Sequence, residues 1–332
     1  MKTIAVLTSG GDAPGMNAAI RAVVRTAIDN SIKVLGVQRG YKGLINNNMY
    51  PMDIRQVSDK IQRGGTMLYS ARCPEFLTVE GRQKAVDVCK ANNIEALVVI
   101  GGDGSFRGAA DLSDMGIPSI CIPGTIDNDI PCSDYTIGYD TCMNTIMQMV
   151  DRVRDTTEAH DRCSVVEVMG NNAGHLALNA GISVGATAIL IPEVPFDIEK
   201  DVIGRIRRTQ KSGKRHFIVM ISEKINKEKH FAYKLADMIE EKTGIESRAV
   251  VLGHVQRGGS PTVRDRVIAS QMGHYAINLL VKGHFNRVIA VKDSKLVDYS
   301  IRDALNIVDE NKRMGKTKLN MSLYNMALEI SI

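Results

Sequence analysis

Tryptophan is absent from this 332-residue chain, and aromatic residues make up only 5% of it. That scarcity argues against a platform on which nucleic-acid bases stack. No apolar stretch reaches the ~18 residues of a membrane span. Met1-Lys2-Thr3 runs straight into the apolar Ile4–Leu7, which leaves no room for a signal peptide. The cysteines, Cys73, Cys89, Cys121, Cys132, Cys142 and Cys163, form no CxxC pair. Scattered in a chain this long, they read as reduced, packed thiols of a cytoplasmic protein. No zinc-spaced His/Cys cluster or HExxH motif occurs. GxxxxGK[ST] and a well-placed GxGxxG are missing too, which removes the Walker and dinucleotide fingerprints. The charge surplus is small, +5, with Lys and Arg spread rather than blocked. A nucleic-acid binder would carry a basic stripe; the surplus reads instead as sites for small anions.

What is present is an ordinary globular composition, 44% hydrophobic and 24% charged, long enough for one large or two medium domains. Short β-branched runs recur at Ile4–Leu7, Val34–Val37, Ala96–Ile100, Ser119–Ile122, Ser164–Val168, Ala188–Ile191, Phe217–Ile221, Ala249–Leu252 and Arg287–Val291. Between them lie amphipathic stretches at Asn17–Asp29, Arg82–Asn92, Thr141–Asp155, Asp201–Lys211, Ala232–Lys242 and Val263–Val281. This alternation predicts an α/β fold with mainly parallel sheets covered on both faces. Four strand exits are Gly-rich, after residues 7, 100, 168 and 252. They predict two similar three-layer α/β/α domains whose sheets face a shared cleft, since ligands collect beyond the carboxyl ends of strands. The expected division is 1–138 plus 256–305 for a larger domain. A smaller one takes 139–255 plus 306–332.

Two exits carry the chemistry. Gly101-Gly102-Asp103-Gly104-Ser105 combines bare backbone, which can approach an anion, with one carboxylate. An acid among glycines would repel phosphate unless a cation bridged them, so Asp103 is a Mg²⁺ candidate. The second exit, Pro123–Asp129 (PGTIDND), places Asp127 and Asp129 two residues apart behind a rigid Pro-Gly-Thr. Two such acids can divide labour, one near a metal and one as base, and Thr125 can donate to a phosphate or sugar oxygen. The same patterns also suit plain Gly-rich and Asx-rich turns. Arg21 and Arg25 are four apart on the helix whose apolar stripe is Ile20, Val23, Val24 and Ala27. They either sit solvated on its outer face or hold an anion between them. Arg72, Arg162, Arg248 and Arg257 adjoin turns, where phosphate contacts tend to arise. His254 gains interest only from its company, and Met143, Met147 and Met149 read as core.

Together these runs resemble the ATP-dependent 6-phosphofructokinases of bacterial type. The likeness rests on LTSGGDAPGMN at Leu7–Asn17, RGGT at Arg63–Thr66, SARCPEF at Ser70–Phe76, GGDGS at Gly101–Ser105 and PGTIDND at Pro123–Asp129. SVVEVMG at Ser164–Gly170 and LGHVQRGGSP at Leu252–Pro261 complete it. GGDG alone would not suffice, because NAD kinases and lipid kinases resemble it there. The resemblance implies transfer of the ATP γ-phosphoryl group to the 1-hydroxyl of fructose 6-phosphate in glycolysis. It implies that Gly11, Tyr41, Arg72, Cys73, Gly102, Asp103, Gly104, Ser105 and Gly108 bind ATP and that Asp103 binds Mg²⁺. Asp127 would be the base, supported by Asp129 and Thr125, with Arg72 stabilising the transferring charge. Thr125, Ile126, Asp127, Met169, Gly170, Asn171, Glu223, His254, Val255, Gln256 and Arg257 would grip the sugar phosphate. Arg162 and Arg248 would reach it from a neighbouring subunit of a homotetramer. Arg21, Arg25, Arg154, Gly185, Thr187 and Lys214 match an allosteric site for ADP or phosphoenolpyruvate. The pyrophosphate-using branch carries a bulkier acid at the position of Gly104 and a Lys at that of Gly124, so glycine at both implies ATP.

The chain also departs from the pattern. Asn171 stands where the family usually has Arg, a lost charge-assisted contact of about 1.5–3 kcal/mol; weaker turnover or sugar-phosphate affinity is expected, improved by Asn171→Arg. Ile54 stands where an Arg is typical, with Arg55 displaced by one. Thr187 replaces an acid and Ser212 a basic residue, which implies blunted or re-tuned control. A kinase for another sugar phosphate and a non-catalytic regulatory paralogue remain as alternatives; retention of Asp103, Thr125, Asp127, Asp129 and Arg72 weighs against the second. The sequence predicts no nucleic-acid or membrane partner.

Overall fold

The computed structural model describes residues 1–226, 228–307 and 319–331. In chain order it begins β1 (Thr3–Ser9), α1 (Met16–Asp29), β2 (Lys33–Val37), α2 (Gly40–Ile45), β3 (Met49–Met52) and α3 (Val79–Ala91). It continues β4 (Ala96–Gly101), α4 (Asp103–Asp114), β5 (Ser119–Pro123), α5 (Tyr139–Ala159), β6 (Cys163–Val168) and α6 (His175–Ser183). Then come β7 (Ala188–Leu190), α7 (Gly204–Lys211), β8 (Phe217–Ser222), α8 (Phe231–Thr243) and β9 (Ser247–Val251). α9 (Val263–Val281), β10 (Arg287–Lys292), β11 (Lys295–Ser300), α10 (Ile301–Asn306) and α11 (Met321–Ile330) complete it. The chain divides into two compact units. One holds Met1–Ile126, Ile130–Thr141 and the segment from Arg257; the other holds Asp127–Asp129, Cys142–Gln256 and the C-terminal helix α11.

The first unit is built on a seven-stranded sheet of order β11-β10-β5-β4-β1-β2-β3. Its five central strands run parallel, and β3 and β11 close the edges antiparallel. β1, β4 and β5 are apolar on both faces because both are covered. Ala5, Leu7, Leu97, Val99 and Cys121 pack with residues of α2, α3 and α4. The alternate residues Ile4, Val6, Val98, Ile100 and Ile120 are equally buried, on the side of α1 and α9. Those two helices lie close because Gly273 of α9 meets Ala19 and Ala22 of α1 without a side chain of its own. α1 buries the stripe Ile20, Val23, Val24 and Ala27. Thr262 caps α9 by accepting the Asp265 N–H.

The second unit carries a wholly parallel sheet of order β7-β8-β6-β9. Cys163, Val165, Phe217, Val219 and Ile221 face Val202 and Ile206, with Phe231, Leu235 and Ile239 of α8. The opposite face holds Val166, Ile218 and Met220, all buried. α6 covers it, with Gly181 against the Ile189 side chain. All six cysteines are thiols, five of them buried and Cys73 half-buried.

Candidate active site

In the first sheet β1 is flanked by β2 on one side and β4 on the other, so the strand order reverses there. Such a switch point opens a crevice beyond the strand ends. Ser9 pairs with Gly101 at that end, and Gly101 with Pro123 of β5. The exits 10–12, 102–105 and 124–126 therefore leave side by side. Gly102 caps α4 and Asp103 is its first residue, where the sequence reading had only a Gly-rich turn. The helix start turns the amides of this run toward an incoming anion. The Asp103 carboxylate accepts from Arg107 Nε at 2.9 Å. A Cβ on Gly104 would have no heavy atom within 4 Å, so the space above this turn is open. A Cβ on Gly11 would overlap the Arg257 guanidinium, which donates to the Asp12 carbonyl at 3.1 Å.

Tyr41 is buried, stacks on Phe76 at 4.0 Å and donates its hydroxyl to the Ser105 carbonyl at 2.6 Å. Burial first, then Cys121 and Asp111, push this phenol up, so it remains a donor. Gly108 lets the pair lie against α4, since a Cβ there would stand 2.8 Å from Phe76 and 2.9 Å from Tyr41. Arg72 is exposed on the approach to the 3-10 turn Pro74–Leu77, which Cys73 precedes. Ser70 ties this loop back by donating to the Gly10 carbonyl at 2.5 Å.

Thr125, Ile126 and Asp127 are buried, while Asn128 and Asp129 are partly exposed. The Thr125 carbonyl accepts from the Thr136 hydroxyl, and the Ile137 N–H donates to the Pro123 carbonyl. The returning segment is pinned by Asp265, which is fully buried in α9. Its carboxylate accepts from the Tyr135 hydroxyl at 2.6 Å, Gly138 N–H at 2.7 Å, Thr141 N–H at 2.9 Å and the Thr141 hydroxyl at 2.5 Å. Burial pushes its carboxyl up, against those bonds, which hold it down.

The second unit gathers the other candidates at the exits of β6, β8 and β9. Gln256 accepts from the Met169 N–H at 3.1 Å and donates to the Gly253 carbonyl at 2.9 Å. That joins Met169-Gly170 to the turn Gly253–Arg257, on which His254 and Val255 are exposed. The Asn171 N–H donates to Glu223 Oε1 at 2.8 Å and its Nδ2 to Asp129 Oδ2 at 3.3 Å. The cation expected at position 171 is not lost from the neighbourhood: Lys224 Nζ donates to Asn171 Oδ1 at 2.7 Å. Arg162 pairs with Glu246 at 2.9 Å, and Arg248 with Glu246 and Glu240. The Arg162 bond foremost, with both arginines' charge, holds the Glu246 carboxyl low.

The allosteric candidates fall in both units. Arg21 and Arg25 lie on α1; burial, then Arg25, lowers the Arg21 guanidinium. Arg154 donates to the Val184 carbonyl, next to Gly185 and near Thr187. Burial, then Arg154, lowers Lys214. The buried Thr187 hydroxyl has no partner among the described residues.

Sequence reasoning missed Lys224, Asp265, Phe76 and Glu246. Lys224 stands beside Glu223 at a strand exit, but nothing local signals its contact with Asn171. Asp265 was not legible either, because an acid in the first turn of a helix ordinarily serves the helix end.

A family profile described as Phosphofructokinase matches residues 3–280. An ATP-dependent 6-phosphofructokinase of Clostridium botulinum (strain Eklund 17B / Type B) is 51% identical over 332 residues, covering 100% of both chains. The phosphofructokinase structure from Pichia pastoris in the T-state superposes with a TM-score of 0.89 at 31% identity, over 99% of this chain and 39% of that one. That from Saccharomyces cerevisiae gives 0.86 at 32% identity, over 100% and 48%. This chain thus spans under half the length of either yeast chain. By profile, full-length identity and fold alike, the chain belongs to the phosphofructokinase family.

Proposed function

We propose that this protein is an ATP-dependent 6-phosphofructokinase that phosphorylates the 1-hydroxyl of fructose 6-phosphate. The observation that carries the reading is the pairing of Gly101 with Pro123. It brings the start of α4, with Asp103, next to the end of β5, from which the chain runs on through Thr125 to Asp127 and Asp129. Asp127 takes the proton of the 1-hydroxyl, the oxygen attacks the γ-phosphorus, and the bond to ADP breaks. Thr125 and Asp129 orient that base, and Arg72 offsets charge on the transferring group; such transfer depends on positioning and electrostatics. Gly11, Gly102, Gly104, Ser105 and Gly108 line the nucleotide site, which is open above Gly104, with Tyr41 and Cys73 framing the loop.

No three acids, histidines or cysteines cluster as metal ligands among the described residues. A single carboxylate, Asp103 at the start of α4 beside the open space at Gly104, fits Mg²⁺, which is commonly held through one carboxylate with phosphates and waters. Bound there, the ion would neutralise charge on the β- and γ-phosphates.

Ile126, Met169, Gly170, Asn171, Glu223, His254, Val255, Gln256 and Arg257 bind the sugar phosphate. In a homotetramer Arg162 and Arg248 of a neighbouring subunit add to it, and Arg21, Arg25, Arg154, Gly185, Thr187 and Lys214 take ADP or phosphoenolpyruvate. The open space at Gly104 favours ATP over pyrophosphate as donor. A lysine at Gly124 would begin with a Cβ 3.1 Å from Ile100 and Met16. Among the described residues no helix is long and apolar enough to cross a membrane.

Purified protein given ATP, Mg²⁺ and fructose 6-phosphate should yield ADP and fructose 1,6-bisphosphate. Turnover with pyrophosphate but not ATP, or none with either donor, would overturn the reading.

A further inference from the structure

β6 and β8 are parallel neighbours with Val168 opposite Ser222. Asn171 and Lys224 therefore leave the same end of the sheet close together. Both take the left-handed backbone conformation, with φ of 57° and 55°. Asparagine adopts it readily, but a lysine does so rarely, and such strain collects at functional sites. What Lys224 gains there is one directed contact, its ammonium on Asn171 Oδ1 at 2.7 Å. The same amide donates through Nδ2 to Asp129, and Glu223 holds the Asn171 backbone N–H. The amide group is gripped at its oxygen by a cation and at its nitrogen by a carboxylate. A cation on the oxygen polarises the amide and strengthens the N–H it offers beyond.

We propose that Lys224 is a positioning residue of the phosphoryl-transfer site. Acting through Asn171, it fixes the Asp129 carboxylate and supplies positive charge to the segment Asp127–Asp129. Asn171 and Lys224 thus do together what a single arginine at 171 would do alone. The inference rests on the phosphofructokinase reading.

The test compares Lys224→Met, Lys224→Arg and the double variant Lys224→Met/Asn171→Arg with the wild type. Each is assayed for kcat, for KM of fructose 6-phosphate and for thermal midpoint. Lys224→Met should lower kcat about tenfold with KM moved less than about twofold and the midpoint unchanged. Lys224→Arg should keep most of kcat, and the double variant should return to within about threefold of wild type. A purely structural lysine would not be rescued by a cation placed at 171. The side-chain amide of Asn171, followed by asparagine-selective ¹⁵N NMR, gives a readout that needs no turnover; its protons should exchange faster in Lys224→Met. A wild type without turnover sinks the functional reading, and the amide signal then decides the relay alone. An unmoved amide signal, a kcat for Lys224→Met within about twofold of wild type, or a double variant no better than Lys224→Met overturns the proposal.

Discussion

The Thr136 hydroxyl donates to the Thr125 carbonyl at 2.6 Å, so the acidic exit of β5 hangs from the segment that returns alongside it. That segment is itself held from α9 by Asp265, whose carboxylate accepts four hydrogen bonds. The order of dependence runs from Asp265 through Tyr135, Gly138 and Thr141 to Thr125.

Asp265→Asn turns one accepting oxygen into a donor that faces existing donors. The expected loss is about 2–4 kcal/mol of unfolding free energy, read from urea denaturation. An unchanged midpoint would mean that these bonds add nothing to the fold.

Asp127→Asn keeps shape and removes the proposed base. General-base catalysis contributes about 10²–10⁴-fold, so kcat should fall within that range while the unfolding midpoint holds. Turnover equal to wild type would show that the 1-hydroxyl loses its proton elsewhere.

Gly104→Ala and Gly108→Ala should part ways although they share one helix. The added methyl at 104 meets nothing within 4 Å and costs the fold little, but it enters the space assigned to the nucleotide. KM for ATP should rise several-fold with the melting temperature unchanged. At 108 the methyl meets Phe76 and Tyr41 at 2.8 and 2.9 Å. Overpacking there should cost about 1–3 kcal/mol. Equal behaviour of the two in a thermal melt would contradict the geometry.

Lys214 loses its proton more readily in the fold than in the unfolded chain, because burial and then Arg154 disfavour the charge. The native state is therefore relieved as pH rises through the lowered value toward 10.5. An anionic effector held at Lys214, as proposed, would reverse this, since it needs the charged lysine. Its affinity should weaken with rising pH in that window, and Lys214→Met should remove the trend in calorimetric titrations at several pH values. A wild-type affinity flat across the window would place the anion away from Lys214.

The parallel interior was legible because its strands are buried on both faces and so read as unbroken β-branched runs. The two edges were not. β3 is only Met49–Met52 and contains Pro51, which an edge tolerates and a centre does not. β11, Lys295–Ser300, is only partly covered and lacks an apolar signature. α4 was masked by its own start, since Gly102, Gly104 and Ser105 read as a turn while in fact opening the helix. α7 begins at Gly204 rather than Asp201 because a π-helical turn, Glu199–Ile203, precedes it. In the site, residue types and spacings named the acids, the glycines and the arginines. Lys224 escaped because its meaning lies in a contact with Asn171, 53 positions away, and no local pattern carries that.

The sulfur chemistry has a practical side. Burial pushes the Cys89 and Cys163 thiols up to about 12 and raises Cys121 well above its ordinary value. At neutral pH those three hold almost no thiolate, the form that alkylating reagents and peroxides attack. Cys73 alone is only half-covered, which makes it the natural handle for a single maleimide dye and a reporter of what occupies the loop beside it.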